Sequence, residues 1–384
     1  MTDAWHIVTP EFPPAIGGVA DYARALAGGL AAAGDEVHVW CPVVERPAPL
    51  DGVRIHPVFA GFGPRALRAA GRALDACPPP RRLLVQWVPH GYGWRGINGV
   101  FALWLWRRAR GGDRVELVVH EPFLEVRSGP LAHRAAAVVQ RAMAAVVLRA
   151  ASRVWVTVPA WEDRLRPYAP WRGLPLRWVP VPSTIPVVRD PVRTRELREQ
   201  AGVGASGLLA GHFGSGGAGT TPMLAMALTR LARANAGLRL VCIGRCSEER
   251  AADLARALPA LSDRALATGP LDAREVSCWL AACDVMLQPY PDGVSARRTS
   301  TVSALAHARP VVTTAGRLTE GLWSESQAVR LVPAGDAEAF ARAAADVAES
   351  AGERLRLGIA ARALYYARFD LDRLVAAIRS PAQP

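Results

Sequence analysis

The feature that most constrains this chain is an alternation that runs through it twice. Short, nearly continuous apolar runs are each followed by a turn and then by a segment whose apolar residues recur at helical spacing. In the first half the runs are WHIVTP, DEVHVWCP, VRIHPVF, RRLLVQWVP, VELVVHEP and SRVWVTV. Between them PRALRAAGRALDAC, GINGVFALWLWRRAR and LAHRAAAVVQRAMAAVVLRAA read as helices. Runs such as LLVQWV and VELVV suit strands covered on both faces. Repeated strand–helix–strand units imply a parallel sheet with right-handed crossovers. From about Leu174 to Arg193 the pattern gives way to LPLRWVPVPSTIPVVRDP, rich in proline and without helical period, which reads as a linker. Alternation then restarts with GLLAGHFG and runs to a late strand, AVRLVPA, and the helix DAEAFARAAADVAES. The tail after it reads as helices.

The expected fold class is therefore α/β, with two Rossmann-like, doubly wound domains facing each other across a cleft. Residues 1–180 form the first and residues 181–365 the second, and a C-terminal helix at about 366–384 is expected to pack back on the first. Ligands of open α/β sheets sit beyond the carboxyl ends of the strands.

Charge and composition narrow the chemistry. The 384 residues carry a formal net charge of +12, and all 46 basic residues are arginine. Without lysine there is no Schiff-base amine and no P-loop lysine. The arginines are scattered through helix-like segments and no nucleic-acid reader motif accompanies them, so no nucleic-acid partner is expected. The six cysteines form no paired CxxC set, which favours reduced thiols and no metal. No run reaches the ~18–20 apolar residues of a membrane span. MTDAWHIVTP lacks the basic start and long apolar stretch of a secretory signal. The expectation is a soluble, cytoplasmic protein.

EFPPAIGGVADYARAL places Gly17 and Gly18 ahead of a helix, between two strands. Paired glycines let the backbone approach a ligand at the helix start, where free N–H groups favour an anion. A tight turn with no ligand fits the same residues.

Four segments together resemble the GT-B fold glycosyltransferases, in particular the large retaining family 4 (glycosyl transferases group 1). They are TPEFPPAIGGVADYARALAGGLAAAGDEVHVW; VELVVHEP; LRLVCIGR with the later GPLDAREVSCWLAACDVMLQPYPDG; and SALAHARPVVTT. The resemblance spans nearly the whole chain. It implies transfer of a sugar from a nucleotide-diphosphate donor, such as a UDP- or GDP-sugar, with retention at the anomeric carbon. It implies no cofactor and no metal, the leaving diphosphate being stabilised by arginines and helix-start amides.

Site residues follow from the same resemblance. Gly17 and Gly18 would approach donor phosphates or acceptor. His120, at the end of VELVVHEP, would contact the transferred sugar, and Glu121 beside it the acceptor or sugar. Gly269 and Leu271 would cradle the nucleobase through the main chain, and Arg245 would reach phosphate or base.

The chain departs from the pattern twice. The turn after the second domain's first strand, HFGSGGAGTTPML, lacks the usual basic pair, leaving the amides of Gly214, Ser215 and Gly216 to meet the phosphates. In PYPDGVSARRTSTVSAL, Asp292 stands for the first acidic residue of the family motif and Ser303 for the second, the ribose ligand. The intervening Gly293, Val294, Ser295, Arg297, Arg298 and Thr299 complete the expected donor loop. Arg297 and Arg298 precede a helix start and are expected to replace the missing pair.

His90, Tyr92 and Trp94 follow a strand where acceptor loops lie, and aromatics stack on sugar faces. The apolar segment from Val100 to Trp106, flanked by Arg95, Arg107 and Arg108, fits a core helix, which is favoured, or a helix lying on a membrane as in lipid-acceptor enzymes. The expected partners are thus a nucleotide-sugar donor, a sugar, lipid or small-molecule acceptor, and a peripheral membrane contact at the inner face. A protein that binds a sugar nucleotide without efficient transfer is the competing reading, kept open by the two departures.

Overall fold

The structure, a computed structural model, describes residues 4–126, 130–204, 207–214 and 218–381. The chain divides into two compact units. One comprises Met1–Pro180 with Leu371–Pro384, the other Val181–Asp370.

The first unit is built on a seven-stranded, all-parallel sheet. Its strands are β1 (Ala4–Val8), β2 (Val37–Pro42), β3 (Val53–Phe59), β4 (Arg81–Trp87), β5 (Arg114–Val119), β6 (Ala151–Val156) and β7 (Leu176–Trp178). They lie in the order β3-β2-β1-β4-β5-β6-β7. The order reverses between β1 and β4, which opens a crevice at their carboxyl ends. Val39, Leu83, Leu84, Val85, Leu117 and Val118 are fully buried, as strands covered by helices on both faces require. Each such side chain contributes roughly 1.5–3 kcal/mol by leaving water.

β7 corrects the linker reading. Leu176–Trp178 lies inside the proline-rich stretch yet pairs with β6 as the sheet's edge, where prolines on either side cost no ladder bond. The chain returns to this unit at Leu371, so residues 366–370 stay with the second unit. The returning helix Leu371–Arg379 packs on helix Gly18–Ala32, and the absence of a side chain at Gly29 admits Val375 and Leu371. Arg82 fastens the end of the helix. Its side chain pairs with buried Glu116 at 2.7 Å and donates to the Ile378 carbonyl at 3.1 Å.

Helix Leu131–Ala150 is, among the described residues, the one long and apolar enough to cross a bilayer by composition. It carries three arginines and packs on helix Gly99–Arg110, burying Met143, Val147 and Leu148. Its opposite side is in contact with solvent, with Leu131, Val138 and Val139 exposed.

The second unit has a six-stranded parallel sheet of β8 (Leu209–Phe213), β9 (Arg239–Ile243), β10 (Ala265–Ala267), β11 (Val285–Gln288), β12 (Val311–Ala315) and β13 (Arg330–Pro333). The order is β10-β9-β8-β11-β12-β13, reversing between β8 and β11. Helices Thr221–Ala234 and Ala337–Glu349 pack together over one face, closing a core that includes Leu224, Leu231, Leu240, Leu287, Phe340 and Val347. Helix Pro191–Gln200 opens the unit, capped by the Asp190 side chain, which accepts from the Arg193 amide at 2.9 Å. It was not legible in the sequence because it buries only Leu197 and so shows no apolar period.

Candidate functional site

In the first unit the expected residues gather where the strand order reverses. His120 follows β5 directly. Its N–H donates to the Trp87 carbonyl at 3.0 Å, and its own carbonyl accepts from the Trp161 indole at 3.1 Å. The imidazole Nε2 lies 2.9 Å from Gln86 Oε1, and the ring meets the edge of Tyr22 at 4.8 Å and 83°. The backbone, ring plane and one ring nitrogen are thus all set.

The glycine turn has a different occupant from the one expected. Glu11 Oε1 accepts from the amides of Val19 and Ala20, both at 3.1 Å, so the chain's own carboxylate takes the helix start. Gly17 is extended, at φ −174°, a conformation open to any residue. What the site demands is space, since a Cβ there would overlap the Glu11 carboxylate. At Gly18 a side chain would meet nothing within 4 Å. The expected ligand seat at Gly17 and Gly18 is filled from within.

Tyr92 is also reassigned. It is buried, its hydroxyl donates to the Gln86 carbonyl at 2.8 Å, and its ring stacks on Phe101 at 4.0 Å. No ring face is left for an acceptor. Trp94 is 76% exposed, with the Arg95 guanidinium 4.4 Å above its ring. His90 and Glu121 share a cavity of about 170 Å³ with Phe123, Glu125, Trp161 and Arg164. Arg164 pairs with Glu125 at 3.0 Å and lies over the Phe123 and Trp161 rings. This pocket offers carboxylates and an indole, groups suited to the hydroxyls and apolar face of a sugar ring.

In the second unit the site again lies at the reversal of strand order. Gly214 follows β8 at φ 110°, close enough to helix Thr299–Ala306 that an added Cβ would stand 3.3 Å from Ser300 Cβ. The expected phosphate contacts Ser215 and Gly216 lie outside the described residues. Tyr290, two residues past β11, bonds Ser300 Oγ at 2.8 Å and Thr301 Oγ1 at 2.9 Å. The Arg298 guanidinium sits 4.5 Å over its ring. Arg297, Arg298 and Thr299 are all half-buried at the start of that helix.

The loop before them is held from two sides. The Gly293 amide donates to the Tyr290 carbonyl at 3.1 Å and the Val294 amide to the Thr314 carbonyl at 2.7 Å. Glu320 accepts the Ala296 amide on both oxygens, at 3.0 and 3.1 Å, and the Trp323 indole at 2.7 Å. Burial raises the Glu320 pKa, and its hydrogen bonds and Arg297 pull it back. Val294 and Ser295 are fully buried, so their side chains support the loop and offer nothing to a ligand. Asp292 is half exposed and faces Arg317 at 3.7 Å.

Two further expectations are corrected. Ser303 is fully buried and bonds Ser183 at 3.0 Å, so its hydroxyl anchors residues leading into the unit and has no surface for a ribose. The Gly269 amide donates to Ser247 Oγ at 2.8 Å and its carbonyl accepts from Thr268, which occupies its main-chain donor. Leu271 is half-buried and Arg245 exposed, the latter with no polar partner among the described residues.

Arg250 was missed. It is 4% exposed and donates to Thr221 Oγ1 at 2.7 Å, at the first residue of helix Thr221–Ala234. A guanidinium therefore does reach the glycine-rich turn, but from the following crossover. Spacing within the turn could not reveal it.

Among the described residues one group could bring metal-ligand atoms together: His6, His38 and Cys77, within 4.8 Å of one another. Its hydrogen bonds do not suit a cation. The Trp40 indole donates to His6 Nδ1 at 3.1 Å, which puts the proton of the neutral imidazole on Nε2. His38 spends its nitrogens on His56 at 2.9 Å and Glu36 at 3.2 Å.

This architecture, two doubly wound units each built on a parallel sheet, is the GT-B fold. Residues 213–350 match the family described as glycosyl transferases group 1. Sucrose-phosphate synthase from Thermosynechococcus elongatus superposes with a TM-score of 0.73 at 17% identity, covering 98% of this chain and 97% of that one. WaaG, a glycosyltransferase involved in lipopolysaccharide biosynthesis, gives 0.69 at 14% identity, with 99% and 100% covered. Anabaena HepE, in complex with UDP and glucose, gives 0.66 at 13% identity, with 98% of each covered. No curated protein matches the chain in a sequence search. The likeness of fold extends over the whole chain, and within the second unit residues 213–350 are similar to the glycosyl transferases group 1.

Proposed function

We propose that the protein transfers a sugar, with retention and without a metal, from a nucleotide-diphosphate donor to a hydroxyl-bearing acceptor. The observation that carries this is the paired arrangement in the second unit. Arg297 and Arg298 stand at the start of helix Thr299–Ala306, and Arg250 stands at the start of helix Thr221–Ala234. Both helix starts adjoin β8 or β11 at the reversal of strand order, so guanidinium and amide groups converge where a leaving diphosphate needs them. The solved HepE complexes hold UDP and UDP-glucose, which supports a donor of that kind here.

In this reading His120 touches the transferred sugar and takes part in charge stabilisation. The pocket of His90, Glu121 and Trp161 seats the acceptor's ring. Calorimetric titration with UDP, GDP, TDP and ADP, followed by donor-hydrolysis assays, tests the reading. Arg297→Ala and Arg298→Ala are each expected to weaken the preferred diphosphate about tenfold or more, a loss of ~1.5–3 kcal/mol for a charge-assisted bond. Unchanged binding in both variants removes the arginine pair from the site.

The second reading, a protein that binds the nucleotide without efficient transfer, is favoured by one observation. Ser303, where the family places a ribose-binding carboxylate, is fully buried. Tight nucleotide binding with no hydrolysis or transfer across a broad acceptor panel would establish it. A peripheral membrane contact has its own support. Helix Gly99–Arg110 buries Phe101, Ala102 and Leu105 but leaves Val100 and Leu103 exposed, beside exposed Ile97 and Trp94 and a run of arginines. Co-sedimentation with anionic vesicles decides it.

A further inference from the structure

Gln86 is a fully buried carboxamide in the otherwise apolar stretch Leu83 to Trp87 of β4, flanked by Val85 and Trp87. Its Oε1 meets His120 Nε2 at 2.9 Å, while its Nε2 has no hydrogen-bond partner among the described residues. Burying half of an amide unpaired is unfavourable, so packing alone would place Leu or Met here. The bond to His120 is what the amide provides.

An amide oxygen accepts and cannot donate. The proton of a neutral His120 therefore resides on Nε2, and the lone pair on Nδ1. Tyr22, edge-on at 83°, fixes the ring plane. The main-chain bonds to Trp87 and Trp161 fix the residue's position.

We propose that Gln86 is a positioning residue that selects this tautomer of His120 and fixes the ring in the orientation in which it meets the transferred sugar. The inference rests on the reading of His120 as a sugar-contacting residue. It adds a second residue, 34 positions away in sequence, on which that contact depends.

Two measurements on the full-length protein test it. Long-range ¹H–¹⁵N correlation of histidine-labelled protein reads the tautomer directly, whether or not any substrate turns over. The wild type is expected to show protonated Nε2 at His120, and Gln86→Met a mixture of both tautomers. A proton on Nδ1 in the wild type, or an unchanged pattern in Gln86→Met, overturns the proposal. Steady-state kinetics are the second measurement. Gln86→Met is expected to lower kcat about tenfold to a hundredfold, the scale at which outer partners of functional histidines act. Donor KM should be unchanged, and the melting temperature equal to or above that of the wild type. Gln86→Glu, which keeps an oxygen acceptor, should recover turnover. Full activity in Gln86→Met, or activity and melting temperature lost together in both variants, also overturns it. A wild type inactive on every donor sinks the sugar-transfer reading, while the tautomer measurement still judges Gln86.

Discussion

Glu11 shows how one side chain decides what a helix end can bind. Its carboxylate occupies two amides of helix Gly18–Ala32 that would otherwise attract an anion. Glu11→Ala should destabilise the protein by roughly 0.5–2 kcal/mol, the usual cost of losing such a cap. It should also uncover the amides, so that added phosphate raises the melting temperature of the variant more than that of the wild type. Urea melts with and without phosphate check both. Equal phosphate responses would mean that the helix start was never an anion seat. Gly17 belongs to the same arrangement. In the sequence its pairing with Gly18 suggested a ligand, and the structure shows that the group it accommodates is six residues upstream. Glycine marks a close approach, but the residue alone does not tell what approaches.

At the scale of elements, the loop before helix Thr299–Ala306 is shaped by a strap that sequence spacing does not display. Glu320 lies past β12 and holds the Ala296 amide with both oxygens. Because burial raises its pKa in the folded state, the folded protein binds this proton more tightly than the unfolded chain does. Stability from this group therefore falls as pH rises from the ordinary carboxylate value through the raised one. Glu320→Gln keeps an oxygen for the Ala296 amide and removes the desolvated charge. The variant should hold its melting temperature at neutral pH and lose that downward slope. Melting curves between pH 4 and 8 compare the two proteins, and parallel curves would refute the assignment. The strands and most helices were legible because buried elements repeat apolar residues at fixed periods. Pro191–Gln200 was not, because only Leu197 is buried. Arg250, Glu320 and Gln86 were missed for another reason. Each acts on a residue brought near by a crossover, and linear spacing carries no trace of that.

At the scale of the whole molecule, each unit holds a buried histidine whose lowered pKa ties stability to pH. Burial lowers His212 to about 4 and His6 to about 3, from an ordinary 6.5. Folded, these rings bind fewer protons than the unfolded chain between those values. Stability is thus fully present above pH 6.5 and is lost as pH falls toward 4 for His212 and 3 for His6. For His212 the loss is on the order of 3 kcal/mol, from ~1.4 kcal/mol per pH unit. His212→Gln should flatten the acid limb of the stability curve of the second unit. Urea titrations from pH 7 to 4 measure it, and an acid limb identical to the wild type's would show that other groups drive the loss.

The carboxylate seated on helix Gly18–Ala32 has a consequence for inhibition. A free inorganic anion arriving at the first unit meets an occupied position, whereas in the second unit arginines stand at two helix starts. Phosphate or pyrophosphate in an assay should therefore compete with the nucleotide and leave the apparent affinity for an uncharged acceptor untouched. The protein would sort its two ligands by charge before shape is consulted.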